Sequence, residues 1–179
     1  MDDTDLVRQA RGGDKAAFGI LVERHQARIH ATLARMTGDS DLAMDLSQDA
    51  FVRAWERLDR FEERSAFSTW LYRIAVRLAY DSLSRRRRTV DVEIDASLPD
   101  SGEPAADERL VAEATAADLR RRIEALPDLQ RAVVVMRAWD GLPYREIAEI
   151  MDTTETSARV SFHYAIRRLR EGLTEATSR

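Results

Sequence analysis

The residues whose types could carry chemistry are few, and their spacing argues against most of it. His25 and His30 stand five apart on one helical stretch, not at the four-residue step that puts two metal ligands on one face, and His163 is remote in sequence. The absence of cysteine excludes a disulfide framework, a cysteine zinc site, a thiol nucleophile and a thiol redox sensor within the chain. There is no His-Glu-x-x-His, no Gly-rich phosphate loop and no nucleophile elbow. Carboxylates abound, but beside arginines, where solvated pairing accounts for them. No catalytic site, metal site or cofactor is expected, and the chain is not expected to be an enzyme. What recurs is arginine in clusters: Arg85, Arg86, Arg87 and Arg88; Arg120, Arg121 and Arg122; Arg167, Arg168 and Arg170. Such clusters suit contacts to phosphates, although a solvated helix face is the commoner explanation for any one of them.

The charge is unevenly spread, which matters more than its total. The 179 residues carry 28 Lys+Arg against 32 Asp+Glu, a net charge of −4. Residues 1–88 and 119–179 each come out at +2, whereas residues 89–118 hold nine acidic side chains and a single arginine. That middle stretch also contains Pro99, Asp100-Ser101-Gly102 and Pro104, with few large apolar residues and no sustained period. It reads as an acidic, weakly structured linker over residues 89–115, separating a domain at 1–88 from one at 116–179. The start, Met1-Asp2-Asp3-Thr4-Asp5, lacks the apolar run of a signal peptide. No stretch approaches the roughly 18 uncharged residues of a membrane span. A cytoplasmic protein is expected.

The first domain reads as stacked helices. Phe18, Leu21, Val22, Ile29, Leu33 and Met36 follow three- and four-residue steps, with Asp14 placed to cap the start and Gly38 to end the helix. A second helix is expected from Leu42 to Arg60, burying Leu46, Ala50, Ala54 or Trp55, and Leu58. Its other side shows Asp45, Gln48, Asp49, Val52, Arg53 and Glu56. A third starts near Ser68 or Thr69, turns Trp70, Leu71, Ile74, Ala75, Leu78 and Leu83 inward, and runs into the arginine cluster. Between the last two lies the polar loop Phe61-Glu62-Glu63-Arg64-Ser65-Ala66-Phe67.

The second domain carries a helix-turn-helix pattern. Leu119, Ile123 and Leu126 seed a helix stopped by Pro127, and residues 129–139 form the next. After the turn Asp140-Gly141-Leu142-Pro143 comes a short helix, Tyr144 to Met151, and after Asp152-Thr153-Thr154 a last helix from Glu155 to Gly172. Around Phe162 at 100° per residue, Ala158, Ala165, Ile166 and Leu169 face inward. Ser157, Val160, Ser161, His163, Tyr164, Arg167 and Arg168 point elsewhere. A helix that reads DNA needs such a mixture: arginine for guanine edges or phosphates, hydroxyls for either, and Val160 against a thymine methyl. The fold class is therefore all-α, two helical domains joined by an acidic flexible linker.

Three motifs in order carry a resemblance. Asp45-Leu46-Ser47-Gln48-Asp49-Ala50-Phe51-Val52-Arg53-Ala54-Trp55 resembles the second conserved region of bacterial sigma factors. Phe67-Ser68-Thr69-Trp70-Leu71-Tyr72-Arg73-Ile74-Ala75, with Asp81 and the arginine run, resembles the adjoining region that melts the promoter and reads its −10 element. Leu126-Pro127 and Asp140-Gly141-Leu142-Pro143-Tyr144-Arg145-Glu146-Ile147-Ala148-Glu149-Ile150 resemble the −35-reading domain. The two-domain arrangement is similar to that of the extracytoplasmic-function (ECF) sigma factors.

The resemblance implies that the chain binds core RNA polymerase and directs promoter-specific initiation. Asp45, Gln48, Asp49, Val52 and Arg53 would dock on the clamp coiled coil of the large subunit; the polymerase flap is a further partner implied, with no residues assigned to it. Arg64, Ser65, Phe67 and Ser68 would hold a base flipped from the −10 element, and Arg73, Arg77 and Arg85, Arg86, Arg87 and Arg88 would follow nearby phosphates. Ser157, Arg159, Val160, Ser161, His163, Tyr164, Arg167 and Arg168 would meet the −35 element. An anti-sigma factor is the further partner implied. The family usually has Asn at the place of Arg77 and Gly at that of Asp152; in the reading helix it commonly has Lys-Ser-Arg where this chain has Arg159-Val160-Ser161 and a basic residue at the place of Tyr164, so a −35 preference unlike the common one is expected. The alternative is a two-domain helix-turn-helix regulator, which would normally dimerise on paired half-sites. It leaves the exposed side of residues 45–53 unexplained.

Overall fold

The computed structural model describes residues 1–90 and 116–177, with side chains over 1–86 and 118–171. From residue 91 on, the expected linker lies outside the described residues, as do the side chains of Arg87 and Arg88. The described residues form helices and no strand: α1 (Asp3–Arg11), α2 (Lys15–Thr37), α3 (Ser40–Glu56), a 3-10 turn (Leu58–Arg60), α4 (Phe67–Val90), α5 (Ala116–Glu124), α6 (Asp128–Val134), a π-helical turn (Val135–Trp139), α7 (Tyr144–Met151) and α8 (Glu155–Thr177). The chain divides into two compact units, Met1–Ala79 and Tyr80–Arg179, a division that falls inside α4.

Local chemistry accounts for the helix ends. Asp14 accepts from the amides of Ala16 (2.9 Å) and Ala17 (3.2 Å), filling donors that the first turn of α2 leaves open. Gly38 closes α2 in the left-handed conformation at φ 70°, which a residue with no Cβ adopts without strain. Asp39 then caps α3 through the amides of Asp41 and Leu42, both at 3.0 Å.

Helix α1 was not legible as a helix. It is capped by Asp2, which accepts from the Asp5 amide at 2.9 Å, with Asp3 and Asp5 in its first turn and Arg8 and Arg11 in its last. Those charges suit the helix dipole, and they hide the three apolar residues Leu6, Val7 and Ala10, all buried against α2. Other boundaries shift. The expected second helix ends at Glu56 and continues as the 3-10 turn, α4 starts at Phe67, and α8 runs on to Thr177 rather than Gly172. In α4, Trp70 and Ile74 are only half-buried, while Tyr72, Val76 and Ala79 join Leu71 and Ala75 in the core. In α3 it is Ala54 that is fully buried; Trp55 is half-buried and stands edge-on to Phe18 at 5.0 Å.

In the second unit α5, α6 and α7 each pack on α8. Val133, Val134, Val135 and Met136 are essentially inaccessible, and the π turn keeps the last two of them in the core. Arg131, though charged, is buried because it donates to the carbonyls of Glu124 and Leu126, the orphan acceptors at the end of α5. Ile147, Ile150, Met151, Ala158, Phe162 and Ala165 complete this core.

Two outcomes follow for α1. Leu6→Ala deletes a fully buried side chain and is expected to lower unfolding free energy by about 2–5 kcal/mol, measured by denaturant titration. Asp3 ties α1 to α2, meeting His25 at 2.7 Å and Arg24 at 3.0 Å. Burial raises its pKa, but the hydrogen bonds and charges of Arg24 and His25 outweigh that and hold it below the usual value. A depressed carboxyl contributes stability that is full above its unfolded pKa of about 4 and lost as pH falls through the folded value. The Tm gap between the parent and Asp3→Asn is therefore expected to close in that acid range; a constant gap would contradict the assignment.

Candidate nucleic-acid interface

Three surfaces gather the residues singled out above. On α3, Asp45, Gln48, Asp49 and Val52 are exposed and Arg53 is half-buried, because Ala43, Leu46, Ser47, Ala50 and Ala54 take the inward side. Val52 is 55% exposed, and Met44, one turn before Gln48, is 49% exposed. Met44 was missed; its signal was its place one turn from Gln48 on a helix whose opposite stripe was already full. The face thus combines two apolar side chains with two carboxylates, an amide and the half-buried Arg53, a mixed surface that suits a protein contact.

The loop between Phe61 and Phe67 is irregular but anchored. Phe61 and Phe67 meet edge-on at 6.1 Å, each also contacts Trp70 (5.1 and 6.0 Å), and the His25 ring lies 5.7 Å from Phe67. Arg11 reaches over from α1. Its Nε donates to the Leu58 carbonyl at 3.0 Å, its Nη1 pairs with Glu63 at 2.8 Å, and its guanidinium stands 5.8 Å from the Phe61 ring centroid. Glu63 sits at φ 56°, a left-handed conformation that this pairing supports. No motif pointed to Arg11; its partners come from 47 and 52 residues away.

Phe67 departs from expectation. At 3% exposure it is part of the loop's foundation, with no face to offer a base in this conformation. Its apolar ring is worth more under the loop than over it. Trp70, assigned to the core, keeps part of its ring accessible. Arg64 projects into solvent, 86% exposed, and pairs with the exposed Glu62 at 2.9 Å; Ser65 and Ser68 are half-buried. Along α4, Arg73, Arg77 and Arg85 recur at multiples of four residues, with Arg77, Arg85 and Arg86 exposed and Arg85 Nε donating to the Asp81 carbonyl at 3.2 Å.

In the second unit α7, a tight turn and α8 form the expected helix-turn-helix. Asp152 ends α7 at φ 53°, ψ 50°, the left-handed conformation where the family usually places glycine. Asp tolerates it better than other side chains. Thr154 Oγ1 accepts from the Ser157 amide at 3.0 Å and starts α8. Outward on α8, Arg159, Val160, Arg167 and Arg168 are exposed, Val160 at 44%, whereas Ser157, Ser161, His163 and Tyr164 are half-buried. Arg159 pairs with Glu155 at 2.9 Å, and Arg167 lies 4.9 Å from the Tyr164 ring and 3.8 Å from Glu171. Among the described residues no group of His, Asp and Glu is placed to hold a metal ion, and no helix is long and apolar enough to cross a membrane.

Comparison with known proteins agrees with this arrangement. The Sigma-70 region 2 family matches residues 21–89, and Sigma-70, region 4 matches residues 116–169. The ECF RNA polymerase sigma-E factor of Escherichia coli strain K12 is 36% identical over 163 residues, covering 85% of this chain and 84% of that protein. The RNA polymerase sigma-H factor of Pseudomonas aeruginosa is 34% identical over 160 residues, covering 83% and 82%. Among solved structures, CnrH in complex with the cytosolic domain of CnrY superposes with a TM-score of 0.66 at 26% identity over 97% of both chains. These matches span both helical domains and do not favour a free-standing helix-turn-helix regulator. The chain belongs to the ECF RNA polymerase sigma factors, which direct promoter-specific transcription initiation.

Proposed function

We propose how this sigma factor divides its task. Residues 1–88 bind core polymerase and capture the −10 element, residues 116–179 read the −35 element, and the acidic stretch 89–115 threads between them toward the path of the RNA. The observation that carries the proposal is the α3 face, where Met44 and Val52 stand exposed beside Asp45, Gln48 and Asp49. Apolar side chains left uncovered among carboxylates suit a protein partner with basic and apolar groups, and the clamp coiled coil of the large subunit is that partner; the flap is a separate polymerase contact of the chain. The chain supplies no reaction of its own; phosphodiester chemistry stays with the polymerase. The cytoplasm, where polymerase and promoter are, is the compartment proposed.

On DNA, Arg64, Ser65 and Ser68 receive the flipped base, with the accessible part of Trp70 taking the stacking position first assigned to Phe67. Arg73, Arg77, Arg85, Arg86, Arg87 and Arg88 follow the phosphates. Ser157, Arg159, Val160, Ser161, His163, Tyr164, Arg167 and Arg168 meet the −35 element, the N-terminal half of α8 nearest the bases. An anti-sigma factor is the proposed regulatory partner, by extension from the sigma factor RpoE of Bartonella quintana, solved in complex with the anti-sigma factor NepR.

Charge reversal at the exposed Asp49, Asp49→Arg, is expected to weaken binding to core polymerase by tenfold or more on the order of a desolvated charge contact, with helix content by circular dichroism unchanged. Equal affinity would remove α3 as the docking face. Arg64→Ala is expected to lower open-complex formation, read by permanganate footprinting, more than it lowers initial promoter binding. Equal losses in both would remove Arg64 from the melted-strand contact.

A further inference from the structure

We propose that Tyr144, a residue on α7 with no assigned contact to DNA, is a positioning residue for sequence reading. Its ring sets the plane of the Arg159 guanidinium so that the edge donors of that group face one base pair of the −35 element. The proposal rests on the reading of α8 as the −35 helix and deepens it.

Two guanidiniums share the Tyr144 ring. Arg137 lies 4.8 Å from its centroid and Arg159 lies 5.5 Å from it. Each member of the group is tethered elsewhere. Arg137 Nη1 donates to the Leu142 carbonyl at 3.1 Å, fixing it to the turn that precedes α7. The Tyr144 ring meets Phe162 edge-on at 5.9 Å, and Phe162 is buried in the core of this unit. Arg159 Nη2 pairs with Glu155 at 2.9 Å. The ring is therefore seated on α8 through both Phe162 and Arg159, and tied through Arg137 to the turn that precedes α7.

A guanidinium that lies over a ring uses its face and leaves its in-plane N–H donors available. Those donors are what a guanine O6/N7 edge accepts in a bidentate contact. In the unbound protein Glu155 occupies part of that edge, so DNA exchanges a carboxylate for a base or phosphate while the stack on Tyr144 persists. An arginine without the ring must lose side-chain freedom on binding, which weakens its ability to distinguish one base from another. The predicted effect is therefore on discrimination at one position, not on overall affinity.

The test is transcription from a −35 promoter library by holoenzyme reconstituted from core RNA polymerase and the full chain, scoring base preference at each position. Arg159→Ala identifies the position that Arg159 reads, by a loss of preference of about tenfold. Tyr144→Leu is expected to reduce preference at that same position by about two- to fivefold, the worth of one exposed cation–π contact, with other positions unchanged. Tyr144→Phe is expected to retain it, and Tyr144→Leu to add nothing in the Arg159→Ala background. Preference that survives Tyr144→Leu, or a loss spread evenly over all positions, overturns the proposal while leaving the −35 reading intact. If Arg159→Ala alters no position, that reading fails at Arg159 and the proposal falls with it. Should Tyr144→Leu unfold the domain, Glu155→Gln decides: retained preference supports the ring as the positioning group, and its loss assigns that task to Glu155 instead.

Discussion

The aromatic cluster of Phe61, Phe67 and Trp70 holds both ends of the irregular polar loop on which the proposed −10 contact depends. Residues 62–66 have no helix to order them, and unanchored backbone of that length would have to be ordered by the ligand at an entropic cost of about 1–2 kcal/mol per residue. Burying a ring at either end confines the loop in the free protein. Arg11 adds a third point through Leu58, Glu63 and Phe61, so α1, with no site residue of its own, acts as a strut for the loop. This makes the docking of α1 a functional matter, and the Asp3 contacts to Arg24 and His25 belong to the same chain of support.

The second unit solves the same difficulty on a regular scaffold. Its outward residues ride on α8, which is seated by α5, α6 and α7, so the backbone is already fixed and only side chains need orientation. Buried Val133, Val134, Val135 and Met136 supply the rigid base, and Phe162 links it to the Tyr144 ring. The two domains therefore place order at different levels, loop backbone in one and guanidinium planes in the other.

How much of this was legible depended on how local the cause was. Asp14, Gly38 and the α7–turn–α8 unit act within a few residues of themselves, so spacing and residue type expose them. Helix α1 escaped because its apolar residues, Leu6, Val7 and Ala10, are diluted by charge; its stability comes from α2, which lies outside its own window. Phe67 was read as a surface ring since an aromatic beside Arg64 and Ser65 suits a flipped base; only the positions of Phe61, Trp70 and His25 reveal that it lies beneath them. Arg11 and Tyr144 were invisible for a related reason. Their partners are brought together by the fold, and no one-dimensional pattern pairs residue 11 with residue 63 or residue 137 with residue 159.

A protein of net charge −4 that must bind a polyanion faces a conflict, and its surface pairs suggest how it is resolved. Arg64 pairs with Glu62, Arg159 with Glu155 and Arg167 with Glu171, so the arginines proposed to meet DNA already hold carboxylates. Exposed pairs of this kind are worth about 0–1 kcal/mol, so exchanging a carboxylate for a phosphate costs little, but it also subtracts from the gain. On the contacts proposed above, each surface is then left with modest affinity for DNA. Two modest contacts joined through one polymerase raise each other's effective concentration, and a chain detached from polymerase lacks that advantage. If the arginines proposed above are the ones that meet DNA, acidic partners beside them favour DNA binding by the holoenzyme over binding by the free sigma factor, as a dissociable specificity subunit requires.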